Sequence, residues 1–221
     1  MISFQEVVAT AILFTWILLL ISFLTKKLYV FMVKRNKLEH EVAVYYNRKI
    51  IHIFAGGLAA FACPFYFKTP LMPLIFASIL AVIVYIPHRA GKLLYWFQVP
   101  ENKYEVHFCI MWGVGLTAGW LLTGNPWFGV LPIVFMSIGD AVTGLLRNMM
   151  FKRRTKSWWG NFAMAITITP IGFTILGIAG AVAALICSFV EHYEFGMIDD
   201  NITVPLTALV LLILLTPILT F

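Results

Sequence analysis

Eight apolar runs, most of them close to the ~20 residues that cross a bilayer as a helix, leave this chain few folds to choose from. They cover roughly residues 5–24, 49–67, 70–87, 106–123, 126–147, 159–176, 177–193 and 202–220. Backbone inside hydrocarbon must satisfy its own hydrogen bonds, so runs of this length read as helices. The expected fold is all-α: a polytopic transmembrane bundle of about eight spans, with seven as the alternative, forming one domain over 1–221. Composition agrees, at 61% apolar residues and a mean hydropathy of +0.90. Soluble domains run nearer ~45–50% apolar. The first run follows Glu6, with no basic n-region and no small-residue cleavage site, and reads as a retained span. The segment 159–193 is open to two readings. Pro170 and Gly172 interrupt the helical pattern, and Gly177 and Gly180 offer a turn, so it is one long helix or two short ones.

Charge suggests the orientation. Of 16 Lys and Arg residues, 15 fall in alternate loops: Lys26 to Lys49, Arg89 to Lys103, and Arg147 to Lys156. Lys68 stands alone on the other side. The positive-inside rule puts the three basic loops in the cytoplasm and the N-terminus outside. The net charge of +6 therefore does not point to nucleic acid. It suits membrane topology, with anionic headgroups or a phosphorylated ligand as further partners. Residues 34–49 read as an interfacial linker that is in part helical. Cys63, Cys109 and Cys187 are far apart and form no redox or disulfide pattern. His40, His88, His107 and His192 lack zinc-ligand spacing, and no Ser sits in a GxSxG elbow.

Four polar clusters carry the chemistry. In the first, Arg48, His52 and Gly56 recur every four residues and share a helix face, with Lys49 beside them. Arg and His at a membrane surface can hold phosphate, although a snorkelling Arg-Lys pair is the bland alternative. In the second, Ser137, Asp140, Gly144 and Arg147 also share a face, and Gly139 precedes the acid. A carboxylate between apolar runs is expensive and calls for a partner. Asp140 can hold Mg²⁺, which prefers hard oxygen ligands, or can simply pair with Arg147 or a lysine. Gly139 to Gly144 has the spacing that opens a P-loop, but Leu145-Leu146 stands where Lys-Ser/Thr is required, which rejects a Walker site. The third cluster, Arg153, Arg154, Lys156, Ser157 and Gly160, can neutralise a triphosphate, with Ser157 capping a helix; topology alone also explains the cations. Trp158-Trp159 reads as an interfacial anchor. The fourth, Glu191 with Asp199, Asp200 and Asn201, can complete a metal site or form a solvated turn.

In order and spacing the clusters match a pattern: Arg48-Lys49-x-x-His52, Gly139-Asp140 with Gly144, Lys156-Ser157-x-x-Gly160, Glu191, and Asp200-Asn201-x-x-x-Pro205. This resembles the membrane-bound lipid kinases that include dolichol kinase, phytol kinase and the CTP-dependent diacylglycerol kinase. The resemblance covers residues 45–221, with 1–47 as a first span and basic linker before a core from 48. It implies transfer of the γ-phosphoryl of CTP to a long-chain lipid alcohol at the cytoplasmic face, with Mg²⁺ as cofactor. It implies catalytic roles for Asp140, Lys156, His52 and Asp200. Asp140, Asp200, Asp199 and Glu191 become metal ligands. Nucleotide and phosphate fall to Arg48, Lys49, Gly139, Gly144, Arg147, Arg153, Arg154, Lys156, Ser157, Gly160 and Asn201. One site shared by Asp140 and Asp200 requires both on one face, hence two short spans within 159–193. The small size resembles prokaryotic members, which implies the cell membrane; a homo-oligomer stays open. The related phosphatidate cytidylyltransferases carry a Pro-Gly-His-Gly-Gly signature, absent after Lys156. A lipid or solute transporter would be expected to show internal repeats and midplane charge, and neither is evident.

Overall fold

The computed structural model describes residues 2–152, 155–193 and 198–219, and these fold as an all-helical bundle. Seven helices are long and apolar enough to cross a membrane: α1 Phe4–Lys34, α2 His40–Tyr66, α3 Leu71–Arg89, α4 Tyr104–Thr123, α5 Trp127–Phe151, α6 Trp158–Val190 and α7 Asp200–Leu219. The chain is thus of integral-membrane character. Helix α2 reaches back to His40, so most of the expected linker is the first three turns of a span.

Helix α6 is folded on itself. Straight, its 33 residues would run about 50 Å, and residues 27 apart would stand about 40 Å from one another. Instead Asn161 Nδ2 donates to the Ser188 carbonyl at 2.6 Å. The chain reverses at Leu176 (φ −128°) and Gly177 (φ 58°, ψ −144°), the latter in a region that only glycine enters freely. Pro170 and Gly172 do not break the helix, contrary to the expectation from their sequence; the reversal falls at the later glycine. The two-limb reading of 159–193 is the observed one. The second limb, 178–190, is only ~20 Å long. Both ends of α6 lie at the same end of the bundle.

In lipid, burying apolar surface gives helices little reason to associate, so close backbone contact and hydrogen bonds must do it. The two limbs of α6 cross at Gly172 and Gly180, where a Cβ on either residue would run into the other's carbonyl. Helix α5 is the centre of the bundle: every residue from Phe128 to Ser137 is buried. At the far end, Ser3 and Glu6 form a capping box on α1, and Glu6 Oε1 accepts the Lys68 amide at 3.0 Å. That contact ties α1 to the turn between α2 and α3 and explains why Glu6 is buried.

Two π-helical turns interrupt α2 at His52–Gly57 and α5 at Phe135–Gly139. They face each other, Gly57 against Ile138 and Gly56 against Ser137. Such turns re-aim the side chains that follow and cluster at functional sites. Here they flank His52 and Asp140.

Gly172→Ala should destabilise the bundle by about 1–3 kcal/mol, because the added methyl overpacks a backbone crossing. Thermal unfolding in detergent micelles reads this as a lower Tm. An unchanged Tm would mean that the limbs of α6 do not cross there.

Candidate functional site

The site grows from Asp140, the first residue after the π turn of α5. Lys49 of α2 places Nζ 2.7 Å from both carboxylate oxygens. His52 Nδ1 lies 2.9 Å from Oδ2. All three side chains are buried. Lys49 and His52 are three residues apart, which on a helix puts both toward one neighbour. Gly144, one turn beyond Asp140, makes this possible: a Cβ there would collide with the Lys49 chain and with the Tyr45 hydroxyl. His52 is held from its other face by Phe108, whose ring stacks on it at 4.2 Å.

A second group closes the α6 hairpin onto α5. Arg147 binds Glu191 through both oxygens, at 3.0 and 2.8 Å. The same guanidinium donates to Asn161 Oδ1 at 2.9 Å and to the Ser157 carbonyl at 3.2 Å. Gly160 leaves room for it, since a Cβ there would meet Arg147 Nε and Cζ. Asn161 Nδ2 returns a bond to Glu191 Oε2 at 2.9 Å. Lys156 links this group to α7. Its Nζ donates to Glu191 Oε1 at 2.9 Å, to the Glu191 carbonyl at 2.7 Å and to Asp200 Oδ2 at 3.0 Å.

The two groups meet in a cavity of about 530 Å³. Arg48, Lys49, His52, Asp140, Arg147, Lys156, Asp200 and Asn201 all line it, so the structure unites four sequence clusters that span more than 150 residues of chain. Asp140, Glu191 and Asp200 each bring one oxygen to within 4.8 Å of the others. This trio offers only hard donors, and a buried Asn201 Oδ1 without a hydrogen-bond partner stands by it. Both features fit Mg²⁺. Four cations line the cavity against two of these acids, with Glu191 just behind. The surplus suits an anionic ligand. Arg48 has no ion-pair partner among the described residues; its guanidinium lies 5.1 Å from the Tyr104 ring.

Not every expected site residue joins the cavity in the expected way. Lys49 is held by Asp140 rather than presented free to phosphate. Arg147 is buried as the pin of the hairpin. Ser157 stands at the N-cap of α6 with no side-chain capping bond. Gly139 packs against Met164, Gly144 against Lys49 and Gly160 against Arg147, so these glycines make room for protein rather than for a ligand. Asp199 is absent from the carboxylate trio: its Oδ2 is 3.3 Å from His107 Nδ1 and accepts the Asn201 amide at 3.2 Å. Arg153 and Arg154 lie outside the described residues. Tyr45, Tyr104 and Asn161 belong to the site or its support without falling in any of the four sequence clusters, and His107, which lacks zinc-ligand spacing, supports it through Asp199. Tyr45 precedes Arg48, Lys49 and His52 at helical spacing, and Asn161 is an isolated amide opening an apolar run; those are the signals that could have found them.

No family model, no curated protein and no solved structure matches this chain.

Burial, and then the adjacent Asp200, push the Asp199 carboxyl above its ordinary value of 3.8, against weaker pulls from Asn201 and His107. The folded protein then keeps a proton that the unfolded chain has released. The stabilisation is complete below the ordinary value and is lost as pH rises through the raised one. Asp199→Asn removes that loss. The Tm of the variant minus that of the wild type should therefore grow as pH rises through this window, from about 4 upward. A difference constant across pH would contradict the raised value.

Proposed function

We propose that this protein phosphorylates a membrane lipid alcohol, taking the γ-phosphoryl of a nucleoside triphosphate with Mg²⁺. The observation that carries the reading is the cavity itself: three converging carboxylates ringed by Lys49, Arg48, Arg147 and Lys156, at one end of an apolar bundle. CTP as the donor follows from the resemblance of the four motifs to CTP-dependent lipid kinases. The charge pattern supports a cytoplasmic site: 15 of the 16 cations fall in alternate inter-span stretches of the sequence, and Arg48, Lys49, Arg147 and Lys156 among them line the cavity.

Asp140 and Asp200, with Glu191 behind them, would hold the ion. Such an ion would supply charge neutralisation for the transferring group. The chain's own residues do the rest. Lys49 and Lys156 neutralise Asp140, Glu191 and Asp200 and line the same cavity, where their ammonium groups would meet phosphate. Arg48 already faces the cavity without a carboxylate and can bind two phosphate oxygens. His52, held between Phe108 and Asp140, is placed to take the proton of the attacking hydroxyl. Phosphoryl transfer asks little covalent chemistry of a protein, so positioning and charge account for most of the effect.

The test is purified protein with γ-labelled CTP or ATP, Mg²⁺ and a panel of prenols and diacylglycerol. Label should appear in the lipid and vanish with a chelator. Asp200→Asn should lower kcat by about a hundredfold or more while the Tm is kept, and Asp140→Asn should do the same with a lowered Tm, because Lys49 is then left buried without its carboxylate. Pyrophosphate release with a CMP-lipid product would establish a cytidylyltransferase instead. Full activity in Asp140→Asn would remove that residue from the site.

A further inference from the structure

Behind Arg48 and His52 lies a second cavity of about 650 Å³, and both residues line the two cavities. Its walls come from α1 to α4, among them Ile17, Ala55, Ala59, Leu80 and Trp112. Along α2 it extends from Arg48 to Ala59, about 16 Å at 1.5 Å per residue. It therefore runs down the helices from the polar end of the bundle into the apolar interior.

Its polarity is one-sided. Arg48, His52 and Glu105 are the ionisable groups on its wall apart from the Cys109 thiol, and Arg48 and His52 mark the end shared with the polar site. Glu105 is nine-tenths buried, and its Oε1 is taken by His88 at 2.5 Å and by Gln98 at 2.8 Å. Its Oε2 is buried with no hydrogen-bond partner. An unpaired carboxylate oxygen beside apolar space carries its full desolvation cost unless a ligand donates to it. The donor that suits it is neutral and can also accept from Arg48 or His52. A hydroxyl does both. A fatty-acid carboxylate would meet Glu105 with like charge.

At the far end of this passage stands Phe76. Its ring is edge-on to Phe14 at 5.6 Å and to Trp112 at 6.4 Å. Beyond Phe76 an apolar groove of about 630 Å³ runs between α1 and α3, lined by Val7, Ala11, Met72 and Ile75. Phe76 lines both spaces. Ile75 and Ile79 are exposed there, on the face a bilayer would cover.

Building on the lipid-alcohol reading, we propose that the passage is the acceptor site for a single-chain alcohol. The hydroxyl sits between Glu105 Oε2, Arg48 and His52. The chain runs along α2 to Phe76, and a longer chain leaves into lipid between α1 and α3. Phe76 sets how much of the chain is held inside the protein.

The experiment uses the full-length protein in detergent micelles and geranylgeraniol carrying a photoreactive diazirine at its tail. After irradiation, labelled peptides are mapped by mass spectrometry. Label should fall within residues 71–84 of α3 and 7–17 of α1. Excess geranylgeraniol should reduce it by about tenfold, and dioleoylglycerol far less. Ala59→Phe, which puts a ring into the passage, should reduce labelling by a similar factor at an unchanged Tm; should that variant not fold, Phe76→Ala should shift the label toward Val7 and Ile79. Label confined to the outer faces of α6 and α7, or equal displacement by dioleoylglycerol, overturns the proposal. Label in the passage together with no γ-phosphate transfer from any nucleotide would sink the kinase reading and leave the acceptor site standing.

Discussion

The buried Arg147–Glu191 pair is the contact on which the site depends. Glu191 follows a helix that would otherwise end some 50 Å from its own beginning. The bidentate bond draws the end of the α6 hairpin against α5, with Asn161 bonded to both partners and Lys156 to Glu191. Removing one partner of such a pair costs about 3–5 kcal/mol, because the other charge is left buried and alone. Helix α7 begins nine residues after Glu191, so the same contact delivers Asp200 to Asp140.

The lysines give the cluster a second property. Lys49 and Lys156 occupy the carboxylates that could hold a divalent cation. Three acids this close would repel one another without a positive charge among them. The ammonium groups offset the acids' mutual repulsion, and both lysines line the cavity. The polar and apolar cavities then share a wall at Arg48 and His52, where the end of the bundle meets its apolar length. That junction is where an amphipathic molecule can present its head to charged groups and keep its tail out of water.

Much of this was legible in the residues. The apolar runs set the number of helical segments, because hydrocarbon permits no other backbone arrangement for lengths like these. Asp140 was conspicuous because an acid between apolar runs must have a partner. Spacing placed Arg48 and His52 on one face. Spacing did not reveal which cation would answer Asp140: Arg147 lies nearer in sequence, yet Lys49, ninety-one residues away, takes the carboxylate and Arg147 turns to Glu191. The glycines show the same limit. The resemblance assigns Gly144 and Gly160 to nucleotide and phosphate, and the space above them is filled by Lys49 and Arg147. Glu105 passed unnoticed because one acid opening a helix is ordinary; its significance lies in an oxygen that packing has left without a donor.

The sequence by itself determined an all-helical membrane bundle, the reversal-prone glycines of the sixth helix, and the residue types gathered at one end. Those follow from local rules: backbone hydrogen bonding in lipid, helical period, and the freedom of Gly177 at positive φ. Only the tertiary structure decided which acids converge, which cations are spent on them, and where space remains. These depend on contacts between segments far apart in the chain, such as Gly172 against Gly180 and Lys49 against Gly144, and close packing alone settles them.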